Sequence, residues 1–411
     1  MCPAPGESWS WDREGLELYL RTGYAFWGVT PIKGVRILMP DEVLRRDSLG
    51  KLIVAHEPEL WKQPEESTCL SESAIFDLLR ARLEDWRAGL NGREVCLPLS
   101  GGLDSRILAA LYPDAGELRA RSYDVTEDPA TGKERLGAAW VAERLGLDWR
   151  AVPLGGFHHY LPDLWKLFGL SSHFHGMYHV EFYRTLLAGG DRAGPLLSGL
   201  IGDAPATYRT PDVIEGPRDL LKLSLSHRMD ASAALTSEAG VSRRLEQYFE
   251  AYRAYWSDER FQTLWRIRLK MVLLNYLWAV PASLGYEPYC PFTERELFLA
   301  MLALPEDRRL ERRWQLEWLE RRGLIDAPRG SARNTLNLRA QQILPLPRLD
   351  FEALRNLYPI EALRKTASVM DAAAAYRFEP GEAFHQSYGT ALTLLPLQTW
   401  VQSRMADFTT H

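Results

Sequence analysis

Residues 95 to 105 read VCLPLSGGLDS, an apolar run that ends in a serine, two glycines and an acid. A strand apolar on both faces ends here in the most permissive turn a chain can make, with a carboxylate inside the turn. Strand and helix signals alternate around it. VCLPL is followed by a helical SRILAALY, a second strand in LRARSYDV, a helix in KERLGAAWVAERLG closed by Gly146, and a third strand in DWRAVPL. GPLLSGLIGD, residues 194–203, is another apolar strand ending in a glycine-containing turn with an aspartate. Strands separated by helices of this length predict an α/β fold with a parallel sheet and right-handed crossovers.

The flanks are less regular. Trp11 to Leu20 reads as a short helix, and Val35 to Met39 and Lys51 to Ala55 read as short strands around the turn DSLG. Pro64 to Ser67 reads as a loop, and Ser71 or Glu72 opens an amphipathic helix through Arg87. From about Val213 to Pro281 the pattern is mostly helical. RRLERRWQLEWLERRG predicts one charged amphipathic helix, with Glu317 and Arg321 spaced for a side-chain pair. Its basic tail, IDAPRGSARNTLNLRAQ, is loop-like, and GTALTLLPLQTWVQSRM predicts a final helix.

Composition narrows the class. With 46% hydrophobic residues and 14 tryptophans among 411 residues, the chain can bury a sizeable core. A net charge of -5 gives no global attraction to nucleic acid or anionic membrane. The four cysteines (Cys2, Cys69, Cys96, Cys290) are too scattered for a disulfide framework or a zinc site. MCPAPGESWSWDREG lacks the pattern of a signal peptide, and the most apolar stretch, MVLLNYLWAVPASL, is too short to span a bilayer. A soluble, cytoplasmic protein is the expectation.

In an open α/β sheet, ligands bind beyond the carboxyl ends of the strands, where SGGLDS falls. Gly101 and Gly102 let backbone approach a ligand, and the helix opening near Ser105 points unpaired N–H groups at the same place, which suits a phosphate. Ser100 and Ser105 add hydroxyls. An aspartate beside phosphates repels them unless a divalent cation lies between, so Asp104 reads as a magnesium ligand. The competing reading is a plain turn with a capped helix. LLSGLIGD repeats the arrangement, with Ser198-Gly199 and then Gly202-Asp203; if its strand lies near VCLPL, Asp104 and Asp203 hold one metal-bound pyrophosphate from two sides. The loop is neither a Walker A sequence nor a G-x-G-x-x-G.

SGGLDSR on a strand, turn and helix resembles the signature loop of the ATP-pyrophosphatase (PP-loop) enzymes, and Arg106 resembles the asparagine synthetase branch. GVRILMPDEVLRRDSLGKLI followed by Glu59-Leu60-Trp61 is similar to the segment preceding that family's synthetase domain. ASLGYEPYCPFTERELFLAMLALP, with Glu287, Pro291, Phe292 and Glu294, and the closing LLPLQTWV also resemble family segments.

The resemblance implies a five-stranded, Rossmann-like parallel sheet (the adenine nucleotide α-hydrolase type) with flanking helices and a helical C-terminal part. It divides the chain into a lead-in at 1–90, an ATP-binding core at 91–210 and a mainly helical substrate-side region at 211–411. It implies that Leu99, Ser100, Gly101, Gly102 and Ser105 cradle ATP and that Tyr123 or Asp124 lies near adenine. It further implies that Ser198 and Gly199 contact the nucleotide from the other side and that Asp104 and Asp203 carry Mg2+. The implied reaction is attack of a substrate carboxylate on the α-phosphorus, giving an acyl-adenylate and pyrophosphate. An amine or ammonia then forms an amide.

The sequence departs from that family in three ways. It is expected to lack the glutaminase domain, and Cys2 reads as a coincidence or relic. Nitrogen is therefore expected from free ammonia, a substrate amine or another protein, such as a separate glutaminase or a precursor-peptide partner. The asparagine synthetases carry carboxylates at the positions of Leu200 and Ala204, so the resemblance leaves open whether asparagine is the product. The family's late catalytic lysine has no match in the loop from Arg329 to Arg339; Arg329 or Arg333 is the expected charge stabiliser there.

Two further stretches have bland competing readings. Of His173, His175 and His179, the last two form a metal pair only if the segment is helical, and core or substrate-contacting histidines are the expectation. The arginines from Arg308 to Arg339 suit nucleic acid or an acidic peptide, but interleaved glutamates and Trp314, Leu316 and Trp318 favour a solvated helix on the core. A PP-loop tRNA-modifying enzyme and a nucleotide-binding relative without turnover are the alternative functions.

Overall fold

The computed structural model describes residues 9–25, 27–56, 70–124, 133–224, 243–325, 347–374 and 382–409. Two strands, β1 (Glu42–Arg46) and β2 (Leu52–His56), form an antiparallel hairpin. The other five, β3 (Val95–Pro98), β4 (Leu118–Asp124), β5 (Asp148–Pro153), β6 (Pro195–Leu197) and β7 (Glu287–Tyr289), make one sheet in the order β5-β4-β3-β6-β7, with every neighbour parallel.

The continuous apolar run of β3 follows from its central place. Val95 and Leu97 enter one hydrophobic cluster with Ile107, Leu108 and Val141, while Cys96 enters a second with Leu196 and Phe182. A strand covered on both faces has no polar alternate to show. From β3 the chain moves outward through β4 and β5 on one side, and β6 and β7 lie on the other. The winding direction thus reverses between β3 and β6, which opens a crevice at their carboxyl ends.

The structure corrects several boundaries. Val35–Met39 is not a strand; it makes only an isolated bridge from Arg36 to Val29. Glu42 explains why: its carboxylate pairs with Arg36 and accepts from the Met39 N–H at 2.9 Å, folding that segment into a turn before β1. Asp47 of DSLG fixes the hairpin, its Oδ1 accepting from Leu49 N and Lys51 N, each at 2.9 Å. The sequence reading missed β7, because three residues with a central proline read as a breaker. At a sheet edge that missing N–H costs no ladder bond.

The predicted helix RRLERRWQLEWLERRG is broken. Glu306–Arg309 ends, Glu311 and Arg312 take left-handed backbones at φ 54° and 63°, and a new helix runs Arg313–Glu320. Glu317 pairs across the break with Arg308 at 2.6 Å. The Arg321 pairing expected from spacing is replaced, and two non-glycine residues are held in strained conformations.

His179 lies in the helix Met177–Ala188, which begins after His175, so the two do not share one helix turn. It is buried among Tyr178, Tyr183 and Tyr276, with its Nδ1 unpartnered among the described residues. Nothing further is described of the His175 side chain, and no cluster of three metal-ligating groups occurs among the described residues. Burial pushes the His179 imidazole down to about 3. The unfolded chain takes up a proton at that histidine below its ordinary value near 6.5, whereas the folded chain does not. Stability from this site is therefore full above pH 6.5 and lost as pH falls toward 3, at about 1.4 kcal/mol per unit. Denaturant titration of wild type and His179→Phe at pH 7 and pH 5 should show the wild type losing about 2 kcal/mol more. Equal losses would mean that His179 is not held neutral. Among the described residues no helix is long and apolar enough to cross a membrane.

Candidate functional site

The first loop, Leu99 to Gly102, leaves β3 and enters the helix Leu103–Leu111, whose N-cap is Gly102. No side chain among the described residues caps that helix, so its leading N–H groups face the crevice without an internal acceptor from a cap. The loop serines hold the loop itself: the Ser105 hydroxyl accepts from Ser100 N at 3.1 Å, and the Ser100 hydroxyl accepts from Gly102 N at 3.1 Å. Leu99 is buried beneath, its carbonyl accepting from the Ser122 hydroxyl at 2.6 Å. Arg106, also buried, donates to the Gly101 carbonyl at 2.8 Å and to the Leu324 carbonyl at 2.6 Å. That arginine fixes the loop from behind.

The second loop follows β6 and locks into the first. A Cβ on Gly199 would stand 3.2 Å from both the Cβ of Asp104 and the backbone N of Ser105. A Cβ on Gly202 would stand 2.8 Å from the Asp104 carboxyl and 2.8 Å from the Phe292 ring. The glycines of SGLIGD thus let two loops close around one carboxylate. Gly202 has an ordinary helical φ of -56°, so alanine meets no backbone objection there. Gly202→Ala should therefore fold yet displace Asp104, lowering nucleotide-dependent turnover by up to about 10²-fold, the cost of a misplacement of about 1 Å. An assay of purified variant with an unchanged melting temperature and unchanged turnover would show that this contact does not position Asp104.

Asp104 is the electrostatic centre. Burial pushes its carboxyl up to about 6, the Arg312 guanidinium pulls it down, and the nearby Asp203 charge pushes it up again. Arg312 donates from Nη2 to Asp104 Oδ1, and from Nε to Gln315 Oε1 at 2.5 Å. Gln315 is fully buried and packs the arginine in place. The left-handed backbone at Glu311 and Arg312 turns the guanidinium into the crevice. Asp203 is exposed at the start of the short helix Asp203–Ala206. On the helix Glu259–Leu274, the mostly buried Lys270 is pushed down chiefly by burial and by Arg209, while Asp203 acts in the opposite direction. Two carboxylates from two loops, facing each other with a cation on either side, fit a divalent ion that keeps its waters and takes phosphate oxygens.

The remaining expected residues take mixed positions. Ser198 donates its N–H to the Tyr289 carbonyl at 2.8 Å, and its hydroxyl accepts from Leu200 N at 3.2 Å. Tyr123 lies at the carboxyl end of β4 with its ring against Tyr178, His179 and Phe182. Asp124 ends that strand; its side chain lies outside the described residues. Arg329 and Arg333 also lie outside them, as do Cys2 and Glu59 to Trp61. Glu287 is at the amino end of β7, paired with Arg93 at 2.8 Å and away from the crevice. Arg312 and Lys270 were missed. The sequence placed Arg312 inside a supposed solvated helix, and a lysine in RLKMVLL carried no motif. Its one signal was being the only lysine in a largely apolar helix.

The family model of asparagine synthase matches residues 88–168, the span that holds β3, the first loop, β4 and β5. No curated protein matches the chain.

Proposed function

Taking the asparagine synthase segment at residues 88–168 as premise, we propose that the protein activates a carboxylate with ATP and passes the acyl group to an amine or ammonia. The observation that carries this reading is the pair of glycine loops closed on Asp104 at the point where the strand order reverses. Backbone N–H groups at the start of Leu103–Leu111 cradle phosphate oxygens. Arg312 and Lys270 supply fixed positive charge where the pyrophosphate leaves. Asp104 and Asp203 would hold magnesium, which screens polyphosphate charge when bound.

A carboxylate oxygen attacks the α-phosphorus, the bond from that phosphorus to the bridging oxygen breaks, and pyrophosphate leaves with the electron pair. The amine nitrogen then attacks the acyl carbon; AMP departs with the C–O electrons and the nitrogen loses a proton. The site's contribution is position and preorganised charge.

The proposal names no product: Leu200, where the resemblance places a carboxylate, is a buried apolar side chain. With an 18O-labelled carboxylate substrate, the mechanism places one label in AMP. Label remaining wholly in the acyl product, or ADP in place of AMP, would overturn it.

A further inference from the structure

A cavity of about 210 Å³ lies beside the second loop. It is smaller than the roughly 300–1,000 Å³ of drug-sized sites, and suits a ligand of amino-acid size. Its walls are apolar: Leu264, Ile267 and Met271 come from Glu259–Leu274, and Phe298 and Leu299 from the helix Arg295–Ala303. Ile267 and Phe298 are buried, whereas Thr293 and Arg295 are exposed. The apolar end is therefore the floor and the polar end the mouth.

That mouth is built from the neighbours of the nucleotide site. Ile201, which lines the cavity, stands two residues before Asp203 and adopts a left-handed φ of 56°, a strained choice for a β-branched residue. Thr293 follows Phe292, whose ring meets Gly202 beside the Asp104 carboxyl. Arg268 also lines the cavity; burial and the like charge of Arg295 push its guanidinium down to about 10, while Asp41 acts in its favour. The acids flanking Arg295, Glu294 and Glu296, both pair with Arg82. Their charge is committed elsewhere, so a carboxylate at the mouth meets an arginine that neither of them neutralises.

We infer that this cavity selects the acid that is activated: a monocarboxylate with an apolar, branched or aromatic body, seated with its body among Leu264, Ile267, Met271, Phe298 and Leu299. Its carboxylate meets Thr293 and Arg295 beside the second loop. The inference rests on the adenylation reading above, and extends it to a substrate class. Compact polar acids leave the apolar walls wet and gain nothing from them.

The test is pyrophosphate exchange into ATP by the full chain with acetate, butanoate, 4-methylpentanoate, phenylacetate and succinate. The kcat/KM should rise about fourfold per added methylene until the cavity is filled, with succinate near acetate. Leu299→Trp, which fills the cavity, should remove the gain for the larger acids and flatten the series. Arg295→Gln should raise KM for every acid about tenfold. A flat series, or a preference for succinate, with exchange intact would overturn the inference and leave the adenylation reading standing. Equilibrium dialysis of phenylacetate separates the other cases. Binding lost in Leu299→Trp without exchange in any protein would keep the cavity assignment and sink adenylation. Neither exchange nor binding would sink both.

Discussion

Asp104→Ala is expected to lower pyrophosphate exchange by about 10³-fold or more, the scale on which a preorganised charge at the reacting centre acts. Among the described residues, Asp104 and Asp203 are the carboxylates that the two loops bring together, and Gly199 and Gly202 close on the first of them. The loss should not be a folding defect. Burial holds the Asp104 carboxyl up at about 6, above its ordinary value near 3.8, so the folded chain at pH 7 carries a desolvated charge. The folded state binds its proton more readily than the unfolded state. Stability from this site is thus present below pH 4 and lost as pH rises through about 6. Asp104→Asn should therefore melt no lower than wild type at pH 7 while losing exchange as completely as the alanine variant. An asparagine variant that retains turnover would remove Asp104 from the chemistry.

Arg312→Ala should cost about 10²- to 10³-fold in kcat with a smaller change in KM for ATP, because in the proposed mechanism its charge stabilises the leaving pyrophosphate. It is held for that task by buried Gln315 and by a strained turn. Arg312→Lys should recover part of the loss, since a point charge restores the sign of the field but not the fork that grips Asp104 and Gln315 together. Single-turnover measurement separates kcat from KM. If alanine and lysine behave alike and both retain wild-type turnover, the ion pair with Asp104 is only structural.

Much of the fold was legible because local signals agreed with one another. VCLPL, LRARSYDV and DWRAVPL became β3, β4 and β5, and the apolar GPLL became β6. The order of those strands places SGGLDS and SGLIGD at one crevice. What the sequence hid was decided by long-range contact. Pro288 disguised β7, and Glu42 turned a strand-like segment into a turn by gripping Arg36 and Met39 N. The break at Glu311 and Arg312 overrode good helix formers, which no periodicity argument anticipates. The same break brings Arg312 to Asp104 across 208 residues. The second loop was read for its aspartate. Its glycines turned out to matter as much, because only the packed structure shows what stands where their side chains would be.

The central claim is that two loops closed on Asp104 position ATP for attack at its α-phosphorus. Exchange of labelled pyrophosphate into ATP, measured with and without a carboxylate, tests this most directly. Exchange should require both a carboxylate and magnesium and disappear in Asp104→Ala. ATP that binds but never exchanges label with any acid of the panel, in the wild-type protein, would contradict it.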